Sequence, residues 1–213
     1  AEADEKLAGD INARGPENLA KTGIPLIHIS TDYVFDGTNC RPYIETDAAN
    51  PQSVYGRTKL AGEQAVLENA SAAVIIRTAW LYSEFGNNFV KTMRRLGAEK
   101  AQLNVVFDQV GTPTYAADLA AAVVHILPRL RPGMKEIFHF SNEGICSWYD
   151  FAVEIMKLSG LDCRINPIES KDYPTPARRP FYSVLNKTKI KQTFNIEINH
   201  WKESLQSCLK HLS

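Results

Sequence analysis

Tyr55 and Lys59 stand four residues apart in Tyr55-Gly56-Arg57-Thr58-Lys59. A helix would stack them on one face, a turn from each other. A free phenol titrates near pH ~10 and serves poorly as a proton donor or acceptor at neutrality. A cation held against it favours the phenolate and tunes it for general acid–base work. Of the eight tyrosines, only Tyr55 has a lysine four residues on. By itself the pair is also what an ordinary amphipathic helix with an exposed lysine would show. Upstream, Ser30-Thr31-Asp32-Tyr33-Val34-Phe35-Asp36-Gly37 packs hydroxyls and carboxylates directly behind an apolar run. Asp36-Gly37 alone would satisfy a turn. With Tyr55 and Lys59 downstream we read the segment as functional, with Thr31 hydrogen-bonding a substrate oxygen beside Tyr55.

Three further segments each carry two readings. Asp108-Gln109-Val110-Gly111-Thr112-Pro113-Thr114-Tyr115 is either a helix entry capped by Thr114 or a substrate-facing loop offering Gln109 and Thr112 as donors. Pro174 to Pro180 is either a stiff solvated linker or a carrier of paired guanidinium forks, Arg178 and Arg179, that suit a diphosphate. Trp80 is either core or a stacking surface for a sugar or ring.

The elements that must position these residues follow from periodicity and punctuation. Helical spacing runs through Asp10–Lys21, Val54–Asn69, Asn88–Gly97, Tyr115–Leu127, Ser147–Ser159, Lys187–Phe194 and His200–Leu212. Strands are expected at Ile24–Ser30, Ala73–Thr78, Leu103–Phe107, Glu136–Phe140 and, on a weaker pattern, Arg164–Pro167. Strands alternating with helices predict an α/β fold: a mostly parallel, Rossmann-type sheet covered on both faces. Ligands in open sheets of this kind bind at the carboxyl ends of the strands, so Thr31, Tyr55, Lys59 and Trp80 would converge on one crevice. Residues 1–141 form the sheet domain, with excursions near 83–113, and 142–213 form a smaller lobe. The acidic, Ala-rich opening leads into a helix already under way, so the chain reads as beginning inside a domain.

Composition narrows the function classes. The 213 residues are 44% hydrophobic and 23% charged, with 24 basic and 24 acidic side chains. That balance and the lack of a long basic run give no nucleic-acid footprint. No apolar stretch approaches the ~20 residues of a membrane span. Cys40, Cys146, Cys163 and Cys208 are widely spaced and read as reduced thiols of a cytosolic protein. No G-x-G-x-x-G turn occurs in the chain, although dinucleotide-binding sheets hold a pyrophosphate on such a turn.

Taken together, Ser30 to Gly37, Pro42-Tyr43, Tyr55 to Glu63, Arg77-Thr78-Ala79-Trp80-Leu81-Tyr82, Asp108 to Thr114 and Pro174 to Pro180 resemble the dTDP-4-dehydrorhamnose reductases, a family of extended short-chain dehydrogenases/reductases. The match runs in order from about Asp10 to the end. The resemblance implies reduction of the C4 ketone of a dTDP-6-deoxy-hexulose to dTDP-L-rhamnose with NADPH, or NADH, in the cytoplasm. It implies that Tyr55 donates the proton, that Lys59 lowers the Tyr55 pKa and holds the nicotinamide ribose, and that Thr31 polarises the carbonyl. Ser30 and Asn12 fall on the cofactor side, Asn12 organising a water near Lys59. Asp32, Tyr33, Trp80, Gln109 and Thr112 line the sugar pocket, and Arg178 or Arg179 meets the diphosphate.

Two departures qualify the implication. The family's amino-terminal strands and Gly-rich loop have no counterpart here, so this chain is expected to bind NADPH poorly and to be inactive by itself. Some members dimerise through magnesium held by glutamates, and the positions matching two of those ligands are Ala117 and His211. Mg²⁺ prefers carboxylate oxygens, so no metal-bridged dimer is expected, while a homodimer of another kind stays open. Two rival readings fit the same motifs less well. A 4,6-dehydratase carries Asp-Glu after the Thr, where this chain has Asp32-Tyr33. A non-catalytic subunit of the same fold would be favoured by loss of Tyr55 or Lys59, and both are present.

Overall fold

A computed structural model describes residues 1–177 and 179–212. The strands are β1 (Leu26–Thr31), β2 (Ala73–Thr78), β3 (Leu81–Tyr82), β4 (Gln102–Val106), β5 (Val110–Gly111), β6 (Thr114–Tyr115), β7 (Lys135–His139), β8 (Cys146–Ser147) and β9 (Arg164–Ile168). The helices are α1 (Glu5–Gly9), α2 (Gly15–Ala20), α3 (Val54–Asn69), α4 (Phe89–Glu99), α5 (Ala116–Ile126), α6 (Trp148–Ser159), α7 (Thr188–Phe194) and α8 (Trp201–His211). The central sheet has the order β1-β2-β7, all parallel. The expected strand at Leu103–Phe107 does not join it. As β4 it pairs with β9 in a separate parallel ladder.

Period-two alternation explains how β2 serves both faces of the sheet. Ala73 and Ile75 pack with Ala20 and Val66 of the α2–α3 layer. Val74 and Ile76 pack with Leu119, Ala122 and Ile126 of α5 and with Ile190 and Phe194 of α7. A second core gathers Val90 and Met93 of α4, Val105 of β4, Phe151 and Ile155 of α6, Ile165 of β9 and Leu205 of α8. A buried polar knot joins the two halves: Asn142 donates to Asp118 at 2.6 Å, Ser204 donates to the same carboxylate, and the Tyr115 N–H bonds Asn142. Among the described residues no helix is long and apolar enough to cross a membrane.

The first helical region differs from the expected Asp10–Lys21. It starts at Glu5, capped by Asp4, and carries a π turn over Asp10–Arg14 before α2 resumes. Pro16 accounts for the turn. It has no N–H to offer the Asn12 carbonyl, and its ring would crowd that carbonyl in a regular helix. The released Asn12 carbonyl instead abuts α3, where a Cβ on Gly62 would lie 2.1 Å from it.

The two sheet edges are finished differently. On the outer side of β7, Glu45 accepts the His139 N–H at 3.0 Å and Lys189 donates to the Ile137 carbonyl at 2.8 Å. Leu26 of β1 donates its N–H to Ala72, so the alternate residues Ile27 and Ile29 turn their backbone groups away from β2. Among the described residues no strand pairs with that side of β1.

Candidate active site

The cleft lies at the carboxyl ends of β1 and β2. It has a volume of about 540 Å³ and is lined by Thr31, Asp32, Tyr33, Tyr55, Lys59, Trp80 and Arg179, with Glu2, Thr78, Leu81 and Ala177 among the others. Helix α3 presents Tyr55 and Lys59 because Ser53 caps it, accepting the Gly56 N–H. The Glu2 carboxylate accepts the N–H groups of Val54 and Tyr55, each at 3.2 Å, which suits the positive end of a helix.

Gly56 sets how closely α3 approaches the loop after β1. A Cβ there would lie 2.3 Å from the Tyr33 carbonyl oxygen and 2.9 Å from Pro51 Cβ. Gly56→Ala is therefore expected to push Tyr55 away from Thr31 and to lower stability by about 1–3 kcal/mol. Chemical denaturation measures this, and a loss under about 0.5 kcal/mol, the range of neutral surface changes, would show the contact to be soft.

Beneath the cleft lies a buried ion pair. Arg77, in register with Ser30, forks onto Glu63 through Nε at 2.9 Å and Nη2 at 2.7 Å. Ser30 donates its hydroxyl to Glu63 at 2.5 Å. The Ser30 hydroxyl is thus committed inward, although the residue borders the cleft. Lys59 donates to the Ile29 carbonyl at 2.6 Å. Burial lowers its pKa and the Glu63 charge opposes that shift.

Tyr55 behaves differently from the expectation that Lys59 lowers its pKa. Burial of the phenol end pushes it above the ordinary value, hydrogen bonding with Thr31 pulls it back, and the Asp32 charge adds to the rise. The physical reason is that burial of the phenol outweighs what the Thr31 hydroxyl gives back. Tyr33 meets Tyr55 edge to face at 5.5 Å. Burial, with the Asp32 charge adding, pushes the Tyr33 phenol up to about 12, while Arg179 opposes.

Trp80 holds a left-handed backbone, φ 48°, which is strained for a bulky residue. Its ring stacks on Trp148 at 3.6 Å, and Gly111 leaves the room it needs, since a Cβ there would lie 2.7 Å from the Trp80 ring. Trp148 and Glu63 support the site, although the sequence assigns neither of them a role there. Glu63 was detectable, because it continues the Tyr55, Lys59 spacing by one more turn. Trp148 offered no comparable signal.

Other expected residues sit elsewhere. Gln109 donates to Ser170 at 2.9 Å, and Thr112 is fully buried and donates to the Gly144 carbonyl. Neither lines the cleft. Asn12 donates to Thr58 at 3.0 Å, and neither residue lines the cleft. Arg178 lies outside the described residues.

A parallel sheet flanked by helices, with a Tyr–Lys helix at the strand ends, defines a dehydrogenase/reductase of Rossmann type. The sequence model of the RmlD substrate binding domain matches residues 1–213. A dTDP-4-dehydrorhamnose reductase of Aggregatibacter actinomycetemcomitans is 40% identical, over 97% of this chain and 75% of its own length. The structure of a Clostridium acetobutylicum dTDP-4-dehydrorhamnose reductase superposes with a TM-score of 0.93 at 46% identity, covering 99% of this chain and 75% of that one. A Bacillus anthracis dTDP-4-dehydrorhamnose reductase in complex with NADP gives 0.94 at 37% identity, with the same coverage. The chain belongs to the dTDP-4-dehydrorhamnose reductase family.

Proposed function

We propose that this chain supplies the proton-handling and sugar-binding residues for reducing the C4 ketone of dTDP-4-dehydro-L-rhamnose to dTDP-L-rhamnose. The observation that carries the reading is the convergence of Thr31, Tyr55 and Lys59 on one cleft with Asp32, Trp80 and Arg179. Tyr55 gives its proton to the oxygen that becomes the C4 hydroxyl. Thr31 donates a hydrogen bond to the same oxygen, and Lys59 supplies positive charge as Tyr55 becomes phenolate. Trp80 and Tyr33 hold the sugar, and Arg179 pairs with the diphosphate. Residues 1–141 act as the cofactor-side domain and 142–213 as the substrate lobe.

The residues fit the nicotinamide end of a dinucleotide, with Tyr55 and Lys59 exposed to the cleft together. When bound, NADPH supplies the hydride. These 213 residues contain no Gly-rich phosphate turn, so we expect the chain alone to bind NADPH weakly and turn over slowly. NADH is the alternative donor. The setting is the cytoplasm, and a homodimer is compatible with the reading.

Calorimetry with dTDP and with NADPH, followed by NADPH oxidation on the keto sugar, tests this. The expected result is measurable dTDP binding that weakens about tenfold or more in Arg179→Ala, on the scale of a charge-assisted hydrogen bond. NADPH binding should be much weaker than dTDP binding. Tight NADPH binding with brisk turnover by these residues would overturn the expectation of inactivity. Absence of dTDP binding would overturn the substrate assignment.

A further inference from the structure

The Thr31 hydroxyl carries a single proton, and three neighbours compete around it. Its oxygen accepts the Tyr33 N–H at 3.2 Å. It lies 3.0 Å from Asp32 Oδ1, and it borders the same cleft as the Tyr55 phenol, whose pKa it lowers. An ionised carboxylate can only accept. While Asp32 is charged, the Thr31 proton points at Asp32, and none remains for a ketone oxygen or for a Tyr55 phenolate. A protonated Asp32 donates to the Thr31 oxygen instead, and the Thr31 proton turns into the cleft. The Asp32 environment suits the acid form. The residue is 3% exposed, and its Oδ2 is buried without a hydrogen-bond partner, an arrangement that disfavours a charge.

We propose that Asp32 is a positioning residue for Thr31: as an acid it turns the Thr31 proton toward the substrate oxygen, and as a carboxylate it withdraws that proton from the site. The inference rests on the ketone-reduction reading for its substrate, and on geometry alone for the coupling between Asp32 and Thr31. Only hydrogen-bond directions change, and each proton stays on its own oxygen.

Burial raises the Asp32 pKa to about 7, opposed by its Thr31 contact, by the nearby backbone N–H groups of Asp32 and Tyr33, and by the Ser183 hydroxyl, which itself donates to the Val110 carbonyl. The titratable groups that share the cleft with it are Glu2, Tyr33, Tyr55, Lys59 and Arg179. The Asp32 charge raises both phenols, so its ionisation also makes Tyr55 a more reluctant proton donor. The sign is therefore fixed: the site is competent below the Asp32 midpoint and loses competence as pH rises through it.

Two measurements test the proposal. Carbon-detected NMR of side-chain carboxylates in this chain should place the Asp32 midpoint near neutrality, and Thr31→Val should raise it by removing a donor. The pH–rate profile should be taken on the protein expressed from its gene's own start codon. Its rate is expected to fall about tenfold between about pH 6 and about pH 8, as a single group titrating midway would produce. In Asp32→Asn, a neutral amide that can still donate to Thr31, that ratio should shrink to under about twofold. An Asp32 midpoint in the ordinary carboxylate range, an unmoved midpoint in Thr31→Val, or a wild-type pH dependence in Asp32→Asn would overturn the proposal. Both NMR results without any ketone turnover would overturn the reductase reading and leave the Asp32–Thr31 coupling standing.

Discussion

Glu63→Ala is expected to destabilise the fold by about 3–5 kcal/mol, the usual cost of stranding one member of a buried ion pair. Glu63 is 1% exposed and Arg77 is 3% exposed. Removing the carboxylate takes away both forks of the guanidinium and the acceptor of the Ser30 hydroxyl. Arg77 Nη1 already lacks a partner, and the remaining support is the Phe35 ring at 5.1 Å. Water cannot easily replace the lost bonds beneath a sheet whose neighbouring residues are fully buried. Urea unfolding of wild type and variant measures the difference. The double variant Glu63→Leu with Arg77→Met should recover most of the loss, because a buried pair adds little over apolar groups of similar size. A single-variant loss below about 1 kcal/mol, typical of exposed pairs, would mean that solvent reaches the pair. Glu63 also supports the charge of Lys59, so its removal should lower the Lys59 pKa further.

Tyr55→Phe is expected to reduce turnover by about 10²–10⁴-fold, the range for losing a positioned proton donor. The protein expressed from its own start codon is the one to assay. The phenol held above its ordinary pKa keeps its proton at neutral pH, which is the state a reduction needs. Phe keeps the edge-to-face contact with Tyr33, and the Tyr55 side chain is a third exposed, so stability should change little. The loss should appear in kcat, with KM for the sugar nearly unchanged, because the missing interaction is made in the transition state. A rate loss under about tenfold would remove Tyr55 from the role of proton donor.

The frame of the site was legible in the sequence because it rests on local rules. Helix α3 spans Val54–Asn69 and β2 spans Ala73–Thr78, as periodicity indicated. The convergence of Thr31, Tyr55, Lys59 and Trp80 followed from their places at strand ends and on one helix face. Side-chain commitments were not legible, since they depend on distant partners. Thr112 faces Gly144, 32 residues away, and Gln109 faces Ser170, 61 residues away. A position after a strand could not reveal which way either would turn. The protonation balance of Tyr55 is beyond the reach of spacing for a related reason: the burial that raises its pKa is set by tertiary packing around the phenol. The π turn at Asp10–Arg14 needed Pro16 and Gly62 to be read together across two helices.

The Lys59 bond to Ile29 also has a mechanical meaning. It is a tie of 2.6 Å from the second turn of α3 to the backbone of β1, so the ammonium that faces the cleft also fixes the distance between the helix and the strand end that carries Thr31. A substitution at Lys59 removes a charge and a tether together. Lys59→Met should therefore be read with a denaturation curve beside the rate, because a lost rate with lowered stability would report the tether and a lost rate at unchanged stability would report the charge.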